Sequence, residues 1–138
     1  MENGDAGTSS DIEVTHLYKI FGPRPQEVLP QVDAGVSKEA ILERTGHTVG
    51  LHDVNLRIKG AETFVVMGLS GSGKSTFVRC VNRLIDPTSG QVLIDGTNIV
   101  EMDNREITAL RRTRMSMVFQ SFGLLPHRNV IQNVAYGL

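Results

Sequence analysis

An α/β fold is what this sequence predicts, on three observations. Two stretches, Ile12 to Phe21 and Leu51 to Ile58, set apolar residues in alternation with polar ones, as half-buried strands do. Thr63-Phe64-Val65-Val66-Met67 is a continuous β-branched and aromatic run, the composition of a parallel strand covered on both faces. Lys74 to Leu84 then places Phe77, Val78, Val81 and Leu84 at helical spacing. The 138 residues, 40% apolar and 21% charged, suffice for one domain with its own core.

Residues 1–11 are polar and slightly acidic with almost nothing to bury, which predicts a disordered start ahead of one domain at 12–138. Ile12, Val14 and His16 lead the first strand, which runs through Leu17-Tyr18-Lys19-Ile20-Phe21 and stops at Gly22-Pro23. An insert at about 23–50 follows. Within it Ser37 is placed to cap a helix over Lys38 to Thr45, with Gly46 as its stop. Leu51, Val54, Leu56 and Ile58 form the next strand, and the turn at Lys59-Gly60 leads into the apolar run. Asp86-Pro87 ends the helix from Lys74. Gln91 to Ile94 and Thr97 to Val100 flank Asp95-Gly96, a signal for a two-residue type I′ hairpin. Asp103 and Glu106 make a capping box for a helix over Asn104 to Arg112, and Arg111, Arg112 and Arg114 gather where its dipole favours cations. Met115 to Phe119 reads as a last strand, Gln120 to Arg128 as a loop, and Asn129 as the cap of a further helix.

A formal net charge of −1 gives no long-range attraction to nucleic acid, so no nucleic-acid partner is expected. Cys80 is the only cysteine, so no internal disulfide forms, and the histidines at 16, 47, 52 and 127 lack zinc-ligand spacing. No apolar run approaches the roughly 18 residues that span a bilayer. Membrane association therefore requires a partner.

Chemistry concentrates in Gly68-Leu69-Ser70-Gly71-Ser72-Gly73-Lys74-Ser75-Thr76, which satisfies G-x-x-x-x-G-K-[ST] between an expected strand and an expected helix. Gly71 and Gly73 let bare backbone approach an anion, so that successive N–H groups converge on its oxygens. Lys74 opens a helix whose N-terminal dipole favours negative charge, and its ammonium can reach β- and γ-phosphates. Ser75 puts a hydroxyl where a magnesium ion bridging those phosphates would sit. The rival reading is a glycine-rich connector closed by a surface lysine. The strand, loop and helix order speaks against it.

These residues resemble the ATP-binding subunits of ABC transporters and, within them, the importers of glycine betaine and proline. The resemblance rests on Val66 to Thr76, on Asn82-Arg83-Leu84-Ile85, on Gly90 to Gly96 and on Met117-Val118-Phe119-Gln120-Ser121-Phe122. The insert containing Ser37 to Gly46 is similar to one that the quaternary-amine importers carry. The resemblance implies an α/β P-loop NTPase of ABC type, with an antiparallel β-subdomain and a partial RecA-like core. It implies ATP and Mg2+ as cofactors, bound by Gly68, Ser70, Gly71, Ser72, Gly73, Lys74, Ser75 and Thr76. Ser75 and Gln120 would serve the metal, Lys74 and Gln120 the chemistry. Gln120 matches the Q-loop glutamine, and Leu124-Leu125-Pro126-His127 falls where a coupling helix docks. Phe21 matches the aromatic position that stacks on adenine, with Tyr18 as its neighbouring competitor. The implied partners are a transmembrane permease subunit, a second ATP-binding subunit and, indirectly, a substrate-binding protein, at the cytoplasmic face of the inner membrane.

The family also carries an Asp-Glu strand end, a signature near Leu-Ser-Gly-Gly-Gln and a switch histidine after the Q-loop. None occurs here. Val92-Leu93-Ile94-Asp95 is followed by Gly96 and makes a hairpin, Thr88-Ser89-Gly90-Gln91 has the wrong order, and His127 follows Gln120 too closely. Gly60-Ala61-Glu62 also departs from the usual Gly-Glu turn. The expectation is a domain cut off after the Q-loop that binds Mg-ATP with little or no turnover and leaves an apolar sheet edge open. Two other readings stand beside it: a non-catalytic or decayed fragment, and a stand-alone P-loop kinase, which would need lid arginines where this chain has a capped helix end.

Overall fold

The computed structural model describes residues 10–119 and 123–137, so most of the start expected to be disordered, and Gln120, Ser121 and Phe122, lie outside the described residues. Its framework is one antiparallel sheet. Strand β1 (Ile12–Phe21) lies between β2 (Thr48–Ile58) and β3 (Ser89–Ile94), and the short β4 (Thr97–Asn98) pairs with β3. The β3–β4 turn has φ of 49° at Asp95 and 78° at Gly96, the two left-handed positions that a type I′ turn requires.

Bulges alter the reading of β1. Val14 pairs with Leu56 and Leu17 with Val54, so β1 fits two residues against one of β2. His16 absorbs that irregularity at φ 48°, and Asp53, at φ 46°, absorbs the next one, where β2 fits two residues against one of β1 between the Leu17–Val54 and Lys19–Leu51 pairs. The buried residues of β1 are consequently Val14, Leu17 and Ile20, every third one, rather than a strict alternation. His16, read from its spacing as part of the inward set, is exposed, with Nδ1 2.7 Å from Asp53 Oδ1.

Helix α3 (Lys74–Val81) lays Phe77, Cys80 and Val81 on Val14, Leu17, Leu51, Val92 and Ile94, and α4 (Asn104–Arg114) adds Ile107 to the same core. A smaller cluster covers the far end of the sheet. There Ile20 and Val49 receive Val28, Val32 and Ile41 from a 3-10 turn (Pro25–Val28), α1 (Leu29–Asp33) and α2 (Lys38–Thr45). Helix α2 keeps its expected bounds because Ser37 accepts from the Ala40 amide and Gly46 closes it at φ 71°. Helix α4 starts at the expected capping box, with Asp103 accepting from Arg105 and Glu106 amides while Glu106 accepts from the Asp103 amide.

Helix α3 ends at Val81 rather than Leu84 because Arg83 turns left-handed, at φ 49°. Its guanidinium donates to the carbonyls of Ile99 and Met102, while Arg111 donates to the carbonyls of Asn82 and Arg83. Cations thus meet the negative end of α3 and tie it to α4.

Two expected strands do not form ladders. Thr63 to Met67 and Met115 to Phe119 are irregular, with Val65 66%, Met67 87% and Val118 97% exposed. A strand made to be buried on both faces needs neighbours on its edges, and the described residues supply none. A short helix α5 (Val130–Val134), capped by Asn129, follows.

Candidate functional site

The loop from Gly68 to Gly73 turns directly into α3, so Lys74 is the first residue of that helix. Its Nζ donates to the carbonyls of Gly68 and Leu69, each at 2.7 Å, and approaches Ser72 Oγ at 3.4 Å. The ammonium is therefore centred over the loop rather than extended into solvent. Gly73, at φ 95°, is the point of closest approach to the sheet: a Cβ there would lie 2.6 Å from the Gly50 carbonyl oxygen. Only glycine lets the loop rest on β2 in this way. The Phe77 amide donates to the Gly73 carbonyl at 2.8 Å, which starts the helical ladder, and the Ser72 amide donates to the Leu69 carbonyl at 3.2 Å within the loop; the amides of Lys74, Ser75 and Thr76 precede the ladder, where an anion would meet them.

Loop and sheet enclose a cleft of about 520 Å³. Ser70 to Thr76 form one side, and Phe21, Thr48, Val49 and Gly50 form the other. Phe21 is 41% exposed, and Lys19 Nζ sits 5.2 Å from its ring centroid. The ring packs over Gly50, where a Cβ would come within 2.8 Å of Phe21 Cε2 and 3.3 Å of Thr76 Cγ2. Tyr18 is directed elsewhere. Its hydroxyl donates to Asp33 at 2.8 Å, which pushes the phenol up to about 12, and its ring tilts against His52.

The structure therefore brings Phe21, Ser70, Gly71, Ser72, Gly73, Lys74, Ser75 and Thr76 to one cleft, while Gly68 holds Lys74 from beneath. Gln120 lies outside the described residues. Thr48, Val49 and Gly50 are cleft residues that motif reading alone misses. The signal that finds them is strand pairing, since Phe21 faces Thr48 and Ile20 faces Val49 across the stem of the insert.

Leu124, Leu125 and Pro126 lie beside α5 around a separate hollow of about 390 Å³. Asn133 organises it, accepting from the Leu125 amide and donating to the carbonyls of Leu125, Arg128 and Asn129. Among the described residues no group of three or more His, Cys, Asp or Glu could hold a metal ion, and no helix is long and apolar enough to cross a membrane.

A family model described as "ABC transporter" matches residues 51–136. The glycine betaine/proline betaine transport system ATP-binding protein ProV of Salmonella typhimurium is 54% identical over 127 residues, covering 92% of this chain and 32% of that protein. The glycine betaine transport ATP-binding protein OpuAA of Bacillus subtilis is 46% identical over 127 residues, covering 92% and 30%. The chain thus spans about a third of the length of the curated relatives it matches. Among solved structures, the dimeric MJ0796, a bacterial ABC transporter cassette, aligns with a TM-score of 0.72 at 30% identity, over 91% of this chain and 46% of that one. The phosphate loop on its helix, the antiparallel sheet beside it and these likenesses agree, and the chain belongs to the ABC transporter family, carrying part of its P-loop ATPase cassette.

Proposed function

We propose that this chain grips Mg-ATP as part of the ATP-binding subunit of a quaternary-amine importer of the glycine betaine and proline type. One observation carries the reading: a single cleft unites a phosphate loop with an aromatic ring on the facing wall. Amides of Ser70, Gly71 and Gly73 to Ser75 and the Lys74 ammonium hold the phosphates, and Phe21 carries the adenine by stacking, a contact of roughly 1–3 kcal/mol in comparable sites. Magnesium favours few protein ligands and keeps its phosphate oxygens and waters, which suits a site where Ser75 offers a hydroxyl and, among the described residues, no acidic cluster competes. Gln120 is proposed as the residue that joins this metal region to the membrane partner.

The exposed apolar surface of Leu124, Val130, Ile131 and Val134 is proposed to meet a permease subunit, at the cytoplasmic face of the inner membrane. A second ATP-binding subunit and, through the permease, a substrate-binding protein complete the assembly. Residues 1–138 contain the phosphate grip but no Asp-Glu strand end that would orient an attacking water, so they bind Mg-ATP with little or no turnover by themselves. Equilibrium titration of Mg-ATP tests the reading. Lys74→Ala removes charge-assisted contacts and weakens binding by about ten- to a hundredfold. Equal affinity in both proteins contradicts the phosphate assignment, and steady-state hydrolysis that Lys74→Ala abolishes contradicts the absence of turnover.

A further inference from the structure

We propose that Lys19 is a positioning residue for the base wall of the cleft: its ammonium holds the Phe21 ring from the side away from the cleft and turns the free face toward the adenine. Lys19 has this role only if Phe21 is the adenine wall. The two side chains are two residues apart on β1 and so share a face of the sheet, with the buried Ile20 between them turned to the other face. Leu17, the preceding residue on the shared face, lies in the core under α3. Lys19 therefore stands between that core and the ring. Its Nζ is 5.2 Å from the Phe21 centroid, within the range at which an aromatic face attracts a cation, and it donates to the Asp86 carbonyl at 2.7 Å.

That mooring decides which side of the ring the ammonium takes. Lys74, which borders the cleft, opens α3, whereas Asp86 lies beyond the other end of that helix. Phe21 lines the cleft, and neither Lys19 nor Asp86 does. The segment after α3 is itself fixed. Arg83 donates to the Asp86 carboxylate at 3.0 Å. Thr88 clips β1 beside Lys19, its amide donating to the Tyr18 carbonyl at 2.8 Å and its hydroxyl accepting from the Ile20 amide at 2.9 Å. Tyr18, Lys19 and Ile20 are thus all tied to the segment after α3, immediately ahead of Phe21. One helix thereby sets both walls: Lys74 at its start grips phosphate, and Asp86 beyond its end holds the lysine that faces the ring. A cation over one face also draws π-density toward itself, so the opposite face repels a stacked, electron-rich base less.

Dissociation constants of Mg-ATP and of magnesium tripolyphosphate, measured side by side, separate the base contact from the phosphate grip. Lys19→Met should raise the ratio of the ATP constant to the tripolyphosphate constant by about two- to fivefold, the size of a cation's hold on an aromatic face. Lys19→Arg keeps a cation and a donor for the Asp86 carbonyl, and its ratio should stay close to that of the wild type. A ratio that Lys19→Met leaves unmoved overturns the proposal, whether the variant is less stable or binds both ligands equally less well. Lys19→Arg as weak as Lys19→Met overturns it too. Phe21→Leu tells the two readings apart: an unchanged ratio there sinks the adenine wall itself, whereas a raised one beside an unaltered Lys19→Met sinks only the role of Lys19. On the Phe21→Leu background Lys19→Met should add nothing to the ratio, and full additivity contradicts the coupling. The wild-type chain supplies a test that no unfolded variant can spoil. The ring current of Phe21 should shift the Lys19 ε-methylene protons upfield in its NMR spectrum, and an ordinary lysine position contradicts the placement.

Discussion

The Lys74 ammonium rests on the Gly68 and Leu69 carbonyls, so its charge is held over the turn whose amides would meet an anion. Asp11 is fixed by more distant partners. Its carboxylate accepts from the Gly60 amide at 2.8 Å and reaches Arg57, and these partners, the Gly60 bond foremost, lower its proton affinity. The folded carboxylate thus binds protons less readily than the unfolded one. Its stabilisation is full above the unfolded value of about 4 and is lost as pH falls through the folded value. Asp11→Asn should lower Tm slightly at neutral pH, and the difference from wild type should narrow as pH falls below the ordinary carboxylate range. A gap that persists in acid would assign the effect to something other than the carboxylate charge. These residues differ in how far the sequence reveals them. The neighbours of Lys74 specify a glycine-rich turn and a helix start, whereas nothing near Asp11 points to Gly60 or Arg57. Phe21 separates from Tyr18 only by direction: one ring borders the cleft while the other is tied to Asp33. His16 misleads because a left-handed bulge residue breaks a two-residue period, and no turn-forming glycine marks the bulge in β1.

At the scale of elements, legibility follows local chemistry. Helices α2 and α4 are readable because their caps are written in neighbouring residues: Ser37 and Gly46 for one, Asp103 and Glu106 for the other. Asp103→Ala removes acceptors for two amides and should cost about 1 kcal/mol in chemical denaturation, with Asn at the same position recovering most of it. An unchanged midpoint would mean that α4 is held by Ile107 and the arginines rather than by its cap. The end of α3 is not readable, because Arg83 breaks the helix to place its guanidinium on the Ile99 and Met102 carbonyls, partners far along the chain. The first turn of the insert, from Pro25 to Asp33, likewise shows no cap in sequence and is shaped by Val28 and Val32 packing on Ile20 and Val49.

Across the whole molecule, the antiparallel sheet carries a closed core while the apolar segments beyond it stay bare. Phe64, Val66, Met117, Val118 and Phe119 border a gap of about 500 Å³ beside α3. Their composition announces buried strands, but strand formation depends on neighbours that local sequence cannot supply. Residues 1–138 should therefore bind a hydrophobic dye and self-associate, and Val65→Lys with Val118→Lys should reduce both effects. A soluble monomer with one cooperative unfolding transition and no dye binding would contradict this. In the cleft next to that gap, we propose, the amides at the start of α3 grip an anion while the end of β1 carries the base. Amide hydrogen exchange with and without Mg-ATP tests it most directly. Added protection should concentrate in 70–76 and in the facing residues 21 and 48–50, and exchange there that is indifferent to nucleotide would contradict the account.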